Sequence, residues 1–245
     1  MSIPRFFIDM PLTVGNLCEL PRATTRHALR ALRMRQGEAL TLFNGNGGEY
    51  AAKLVVAKEP NATADIIGFD PREAELPWPI TVGQGLSSGD KMGWTVEKAV
   101  ELGASAIQPL AMARCVTRLS GERAAARRAH WQALAITAGE QCGRNRVAQV
   151  GGVMPLRDWL LEVPSEALKL MLVPVADTPL VAVDAPVPGH RVALLIGPEG
   201  GFAEDEDSAA RDAGFIAISL GPRVLRTETA AAAALAMLAA HWRAL

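Results

Sequence analysis

The chain has few of the residues that mark a secreted, metal-bound or membrane protein. Three cysteines, Cys18, Cys115 and Cys142, stand among 245 residues. Their odd number and wide spacing imply neither a disulfide framework nor a zinc site. His27, His130, His190 and His241 form no ligand-type cluster in sequence, so no metal is expected. No basic segment followed by an apolar core opens the chain, and no secretory signal is expected. The longest apolar run, Ala230 to Ala240, is too short and too rich in alanine to span a bilayer. A cytoplasmic location with no membrane partner is therefore the default. The Gly-Lys-Ser/Thr of a phosphate-binding loop is missing, and Gly83-Gln84-Gly85 lacks the third glycine of a dinucleotide fingerprint, since Ser88 stands there. Charge of one sign is missing too: 25 basic against 26 acidic residues give a net −1. That balance argues against a uniformly basic nucleic-acid binder and leaves local basic patches open.

What is present is concentrated between Val192 and His241. Five apolar residues, Val192 to Ile196, end in Gly-Pro-Glu-Gly-Gly. Such a run suits a strand buried on both faces of a parallel sheet. The acidic run Glu204 to Asp207 suits a helix's first turn, where the amide dipoles favour negative charge. Ile216 to Leu220 reads as a second buried strand. It ends in Gly221-Pro222-Arg223-Val224-Leu225-Arg226, after which Thr227 or Thr229 can cap a last helix. That helix is apolar on every side from Ala230 to Ala240 and is expected to be buried all round. Two glycine-bearing loops thus fall at the carboxyl edge of one sheet, where open α/β folds bind ligands. Either loop alone reads equally well as an ordinary tight turn. The pair is less ordinary, because Glu199 lies in the first and Arg223 and Arg226 in the second.

GPEGGF followed by LGPRVLRTETA resembles the signature of the RsmE family, SPOUT-class enzymes that methylate N3 of a uridine in 16S ribosomal RNA. The resemblance implies an α/β methyltransferase domain with a C-terminal trefoil knot, S-adenosylmethionine as cofactor, 16S rRNA or the small ribosomal subunit as partner, and a homodimer. Carried onto this sequence, it implies cofactor contacts from Val173, Gly197, Pro198, Gly200, Gly201, Ser219, Leu220, Gly221, Leu225 and Thr229. It places Glu199 near the sulfonium or the N3 proton, and Arg226 at the uracil oxygens or a phosphate. Glu199 and Glu228 can equally brace the loops by binding backbone amides. Further matches are Glu101-Leu102-Gly103 and Glu140-Gln141 with Arg144. Two departures are Ala148, where a proline is expected, and Ala203, where a Ser or Thr would cap the next helix; Glu206 still matches.

The N-terminal stretch reads differently. Strands are expected at Arg5 to Ile8, Ala39 to Phe43, Tyr50 to Val56 and Thr63 to Phe69. Asn44-Gly45-Asn46-Gly47-Gly48 marks a hairpin. A helix capped by Thr24 or Thr25 should run to Gly37. The expected result is a small antiparallel β-barrel, similar to the PUA-like domain that precedes the catalytic domain in RsmE proteins; His27, Leu32-Arg33 and Gly37 match that pattern. Arg22, Arg26, Arg30, Arg33 and Arg35 fall together with no acidic residue between them. Arg26, Arg30 and Arg33 would share one helical face able to contact phosphates. With Arg5 and Arg22 they form the expected RNA contact, the alternative being a solvated helix face.

The proline- and charge-rich segment Asp70 to Pro79 reads as a linker, giving domains at 1–72 and 73–245. Beyond it, Ile80 to Leu86, Ala106 to Leu110 and Lys169 to Val173 read as strands, and Asp90 to Leu102 and Ser120 to Cys142 as helices. Arg123, Arg127 and Arg128 on the latter read as a solvated surface or a second RNA-facing patch. Two rival functions fit the same residues. One is a non-catalytic RNA-binding ribosome-assembly factor; the other is a SPOUT methyltransferase acting on tRNA or on a ribose 2′-hydroxyl.

Overall fold

The computed structural model describes residues 3–244. They divide into two compact units, Met1–Glu75 with Gly139–Val147, and Leu76–Ala138 with Ala148–Leu245. The sequence suggested a single cut at 72/73. The first unit instead recruits a short segment from far along the chain.

In the first unit, strands β1 (Arg5–Phe7), β2 (Leu17–Glu19), β3 (Ala39–Phe43), β4 (Glu49–Val56) and β5 (Thr63–Asp70) form one sheet in the order β1-β3-β4-β5-β2. The glycine-rich hairpin joins β3 to β4 as read from the sequence, and those two pair antiparallel. The sheet is mixed, however, not purely antiparallel, because β1 runs parallel to β3. Alternate residues point inward: Leu40 and Leu42, Ala52 and Leu54, Ala64 and Ile66 are buried with Phe6, Ile8 and Leu20. The period-two pattern thus becomes one face of a core. Helix α1 (Arg22–Arg26) begins at Pro21, earlier than expected, and passes into a π-helical turn, His27–Ala31. Neither Thr24 nor Thr25 caps it. Thr25 is buried inside, its hydroxyl donating to the Leu20 carbonyl at 3.1 Å and accepting from the Ala62 N–H at 3.1 Å.

In the second unit, β6 (Ile80–Gly85), β7 (Ala106–Ala111), β8 (Gln149–Val150), β10 (Leu168–Leu172), β11 (Val192–Ile196) and β12 (Ile216–Ile218) lie in the order β12-β10-β11-β6-β7-β8, with β9 (Met154–Pro155) also on β7. Every ladder in this sheet is parallel. All five residues of β11 are buried, as its unbroken apolar run requires. Helices α2 (Lys91–Glu101), α3 (Gly121–Cys142), α4 (Leu156–Glu162), α5 (Glu204–Asp212) and α6 (Thr227–His241) complete the chain. Met92, Val96, Ala99 and Val100 form the buried face of α2, at helical spacing. Helix α6 is not buried all round. It packs on α2, and Ala231, Ala234, Leu235, Leu238 and Ala239 are inside, whereas Ala232, Ala233, Ala236 and Met237 are half-buried and Ala240 is exposed. Its uniform apolarity carries no moment from which the sides could be told apart. Because β10, β11, β12, β6 and β7 are parallel, the connections leaving them emerge at one edge.

Candidate active site

The connections after β10, β11 and β12 close around a cavity of about 1050 Å3. This is the upper end of the range for small-molecule sites and has room for a nucleoside cofactor together with an acceptor base. Val173, Gly197, Pro198, Glu199, Gly200, Gly201, Leu220, Leu225 and Arg226 all line it. The two glycine-bearing loops therefore meet at one cavity. Its apolar walls come from Leu172, Ile196, Ile218, Leu225 and Ala230.

The first loop, Gly197 to Phe202, is fixed by the strands on either side of it. A Cβ on Gly85, the last residue of β6, would lie 2.5 Å from the Pro198 backbone nitrogen. Only glycine lets the two backbones approach so closely. Thr227 supplies a second anchor. It opens α6 without capping it; no side-chain cap is made, and neither Thr227 nor Thr229 fills the expected role. The Thr227 hydroxyl donates to the Gly197 carbonyl at 2.6 Å and accepts from Nε2 of the fully buried Gln84 at 2.8 Å. Strand β6, the first loop and α6 are thereby joined through one hydroxyl. Sequence reading missed both partners. The signal available was Gln84 itself, a carboxamide buried in a strand whose other polar side chain is the small hydroxyl of Thr81.

Glu199 is held from three sides. Its Oε1 accepts from the Ser88 N–H at 3.0 Å, the Ser88 hydroxyl at 2.8 Å and Lys91 Nζ at 3.1 Å. Partial burial pushes its pKa up, but the Ser88 amide, its own amide, the Ser88 hydroxyl and Lys91 outweigh that and hold the carboxyl at about 2. It is therefore ionised at neutral pH. Glu228 has one carboxylate oxygen, Oε2, buried and without a hydrogen bond. Behind the first loop, Ala203 cannot cap α5 with a side chain, but Glu206 accepts from the Ala203 N–H at 3.0 Å and from the Ala113 N–H at 2.7 Å. The carboxylate thus supplies half of a capping box.

Three expected cofactor residues lie off the cavity wall. Ser219 is engaged through its backbone, its N–H donating to the Thr178 carbonyl and its carbonyl accepting from the Leu180 N–H, both at 2.9 Å. Gly221 turns the second loop with φ of 100° and is exposed, and Thr229 is exposed on α6. Lys91, Asp207 and Arg211 line the cavity instead, from α2 and α5. Nothing local in the sequence marks them. Among the described residues, no group of three or more His, Cys, Asp or Glu could hold a metal ion, and no helix is long and apolar enough to cross a membrane.

The expected RNA-contacting arginines lie in the first unit. Arg22, Arg26, Arg30 and Arg33 are exposed. They do not share one helical face, since the π turn intervenes and Arg33 lies beyond it with φ of 56°. Arg30 is paired with Glu59 through two bonds of 2.5 and 2.6 Å. Arg5 is a correction: it is half-buried and structural. It donates to Glu49 at 2.5 Å and to Asn145 at 2.6 Å and lies 5.3 Å from the Phe43 ring centre. Those partners take Nη1 and Nη2, and the unpaired Nε is buried away from any phosphate.

Against this geometry, comparisons with known proteins are consistent over the whole chain. A family model for an RNA methyltransferase domain matches residues 74–239, and one for an RNA methyltransferase PUA domain matches residues 20–67. The ribosomal RNA small subunit methyltransferase E of Mycobacterium bovis is 33% identical over 249 residues, covering 98% of this chain and 93% of its own. The crystal structure of the ribosomal RNA small subunit methyltransferase E from Neisseria gonorrhoeae, bound to S-adenosyl methionine, is 41% identical with a TM-score of 0.91, and 98% of each chain is covered. A protein from Legionella pneumophila, solved in complex with the bound cofactor SAM, is 36% identical with a TM-score of 0.89, again with 98% of each chain covered. The chain belongs to the ribosomal RNA small subunit methyltransferase E family.

Proposed function

We propose that this protein transfers a methyl group from S-adenosylmethionine to N3 of a uridine in 16S ribosomal RNA. The observation that carries this reading is the single cavity built from the loops after β10, β11 and β12. Its walls fit the cofactor. Gly197, Gly200 and Gly201 line it with backbone and no Cβ, leaving room for the adenosine, Leu225 and Ile218 offer apolar surface for the adenine, and the ionised Glu199 lines it as well. When bound, the cofactor supplies an electrophilic methyl on a positively charged sulfur.

The protein's own residues have three tasks. The first loop orients the donor, held by Thr227 and Gly85 so that little reorganisation is needed on binding. Glu199 contributes a permanent negative charge that complements the sulfonium and keeps Lys91 in place. Arg226, exposed at the end of the second loop, lines the cavity and is assigned to the acceptor. A guanidinium against the uracil oxygens would lower the pKa of the N3 proton, which would leave to solvent, and would stabilise the resulting imide anion as the methyl acceptor. The target uridine must be unpaired or flipped to enter. In the first unit, exposed Arg22, Arg26 and Arg33 supply phosphate contacts.

We assign to the second unit the trefoil knot expected of the family, in keeping with Thr227 at the start of α6 reaching back to Gly197 of the first loop. We expect a homodimer from the family, and the half-buried small residues of α6 would let another backbone approach closely. We place the activity in the cytoplasm, with the ribosome. The test is mass-spectrometric mapping of small-subunit uridines in a strain lacking the gene, with calorimetry of S-adenosylmethionine on the pure protein. Loss of one N3-methyluridine together with measurable cofactor binding is expected. Unchanged methylation at every uridine overturns the substrate. Absence of cofactor binding favours the assembly factor.

A further inference from the structure

A second cavity of about 380 Å3 opens in the second unit, along the same sheet edge. Ser87 and Gly89 of the β6–α2 connection, Thr117 before α3, and Arg123, Arg127 and Trp131 on α3 line it. Ser87 is only 4% exposed, and its hydroxyl makes no hydrogen bond. A buried hydroxyl is normally satisfied, so an unsatisfied one in a cavity wall points to a missing partner. Both arginines are exposed, and neither is ion-paired among the described residues. No acidic residue lines the cavity; Glu122 and Asp90 are near it in sequence and are not part of its wall. From Met112 to His130 the chain carries five arginines, at 114, 118, 123, 127 and 128, against one acid, Glu122. This is a local excess of positive charge in a protein of net −1.

The position links this cavity to the methyl-donor pocket. Ser87 and Gly89 face the second cavity, while Ser88 between them donates twice to Glu199 of the first. One short loop separates the two sites. The geometry points to the second cavity as a binding site for a phosphodiester of the substrate RNA close to the target uridine, held by Arg123, Arg127 and the Ser87 hydroxyl. Two guanidiniums and a hydroxyl form the donor set that phosphate oxygens take, and such contacts fix register without reading sequence. A free phosphate would satisfy the same donors. A chain phosphate is favoured because the cavity sits beside the acceptor pocket and exceeds a lone anion in size. This inference rests on the methyltransferase reading above.

The test compares wild type with Arg123→Ala/Arg127→Ala, Arg127→Lys and Ser87→Ala in steady-state methylation of small-subunit RNA, with cofactor affinity and melting temperature in parallel. The expected result for the double variant is a KM for RNA raised at least about tenfold. kcat at saturating RNA and cofactor affinity should stay within about twofold. The slope of log affinity against log salt should fall by about 0.7 to 0.9, one phosphate's worth. Arg127→Lys should recover part of the KM, and Ser87→Ala should raise it several-fold without lowering the melting temperature. An unchanged KM and salt slope in the double variant overturn the site, as does a loss of cofactor affinity equal to the loss in RNA affinity. Competition by millimolar inorganic phosphate that depends on Arg127, without any change in RNA KM, would assign the site to free phosphate and also overturn the inference. Failure of the parent reading looks different: wild type itself would then transfer no methyl.

Discussion

The two glycine-bearing loops of the donor pocket look alike in sequence and behave differently in the structure. The first is locked. Gly197 and Pro198 are buried, the Gly197 carbonyl accepts from Thr227, Gly85 abuts Pro198, and Glu199 is held by Ser88 and Lys91. The second is mostly in water. Gly221, Pro222, Arg223, Val224 and Arg226 are exposed, Val224 at 78%. The pocket thus has one preorganised wall and one adaptable wall. The rigid wall suits a cofactor that always has the same shape, and the open one a nucleotide that arrives attached to a large RNA.

This contrast can be broken from either side. The largest effect is expected for Gly85→Ala. Its Cβ meets backbone, which cannot give way as a flexible side chain would. Overpacking of this kind costs about 1–3 kcal/mol or more, and cofactor affinity by calorimetry should fall with the melting temperature. Thr227→Val should come next. It removes the donor to Gly197 and one acceptor for Gln84 in a buried site, roughly 1–3 kcal/mol of stability by thermal denaturation. Arg226→Ala should leave stability and cofactor affinity nearly unchanged, because the side chain is exposed, and should lower turnover on RNA by about 100-fold.

Glu199→Gln should act more gently and through pH. The folded pKa, about 2, lies below the ordinary 4.5, so the stabilisation from ionised Glu199 is complete above about 4.5 and is lost as pH falls toward 2. The melting-temperature gap between wild type and variant should therefore be present at neutral pH and close across that window. The smallest effect is expected for Val224→Ser, within about 0.5 kcal/mol by denaturant titration.

Local structure was legible in the sequence wherever a pattern had a period. Strands β3, β4 and β5 and the hairpin at 44–48 follow from alternation and glycine, and the buried face of α2 from helical spacing. The pairing of the two loops was legible through their motifs. What was not legible depended on partners distant in the chain. Arg5 reads as a free cation until Glu49 and Asn145 close on it, and Arg30 until Glu59 does. Thr227 reads as a cap because the sequence does not show that Gly197 and Gln84 lie beside it. The flanks of α6 are invisible because alanine is apolar on every side.

The short recruit of the first unit, Gly139–Val147, has a practical bearing on dissection of the protein. Glu140 accepts from the Phe7 N–H at 2.8 Å, Asn145 accepts from Arg5 and donates to the Arg72 carbonyl, and Arg144 pairs with Glu75. A peptide ending at Glu75 would keep every strand of its sheet yet strip these groups of their counterparts. Excision at the apparent linker should therefore yield a loosened, protease-sensitive first unit. Grafting the nine-residue stretch back onto that peptide is the economical route to isolating it intact.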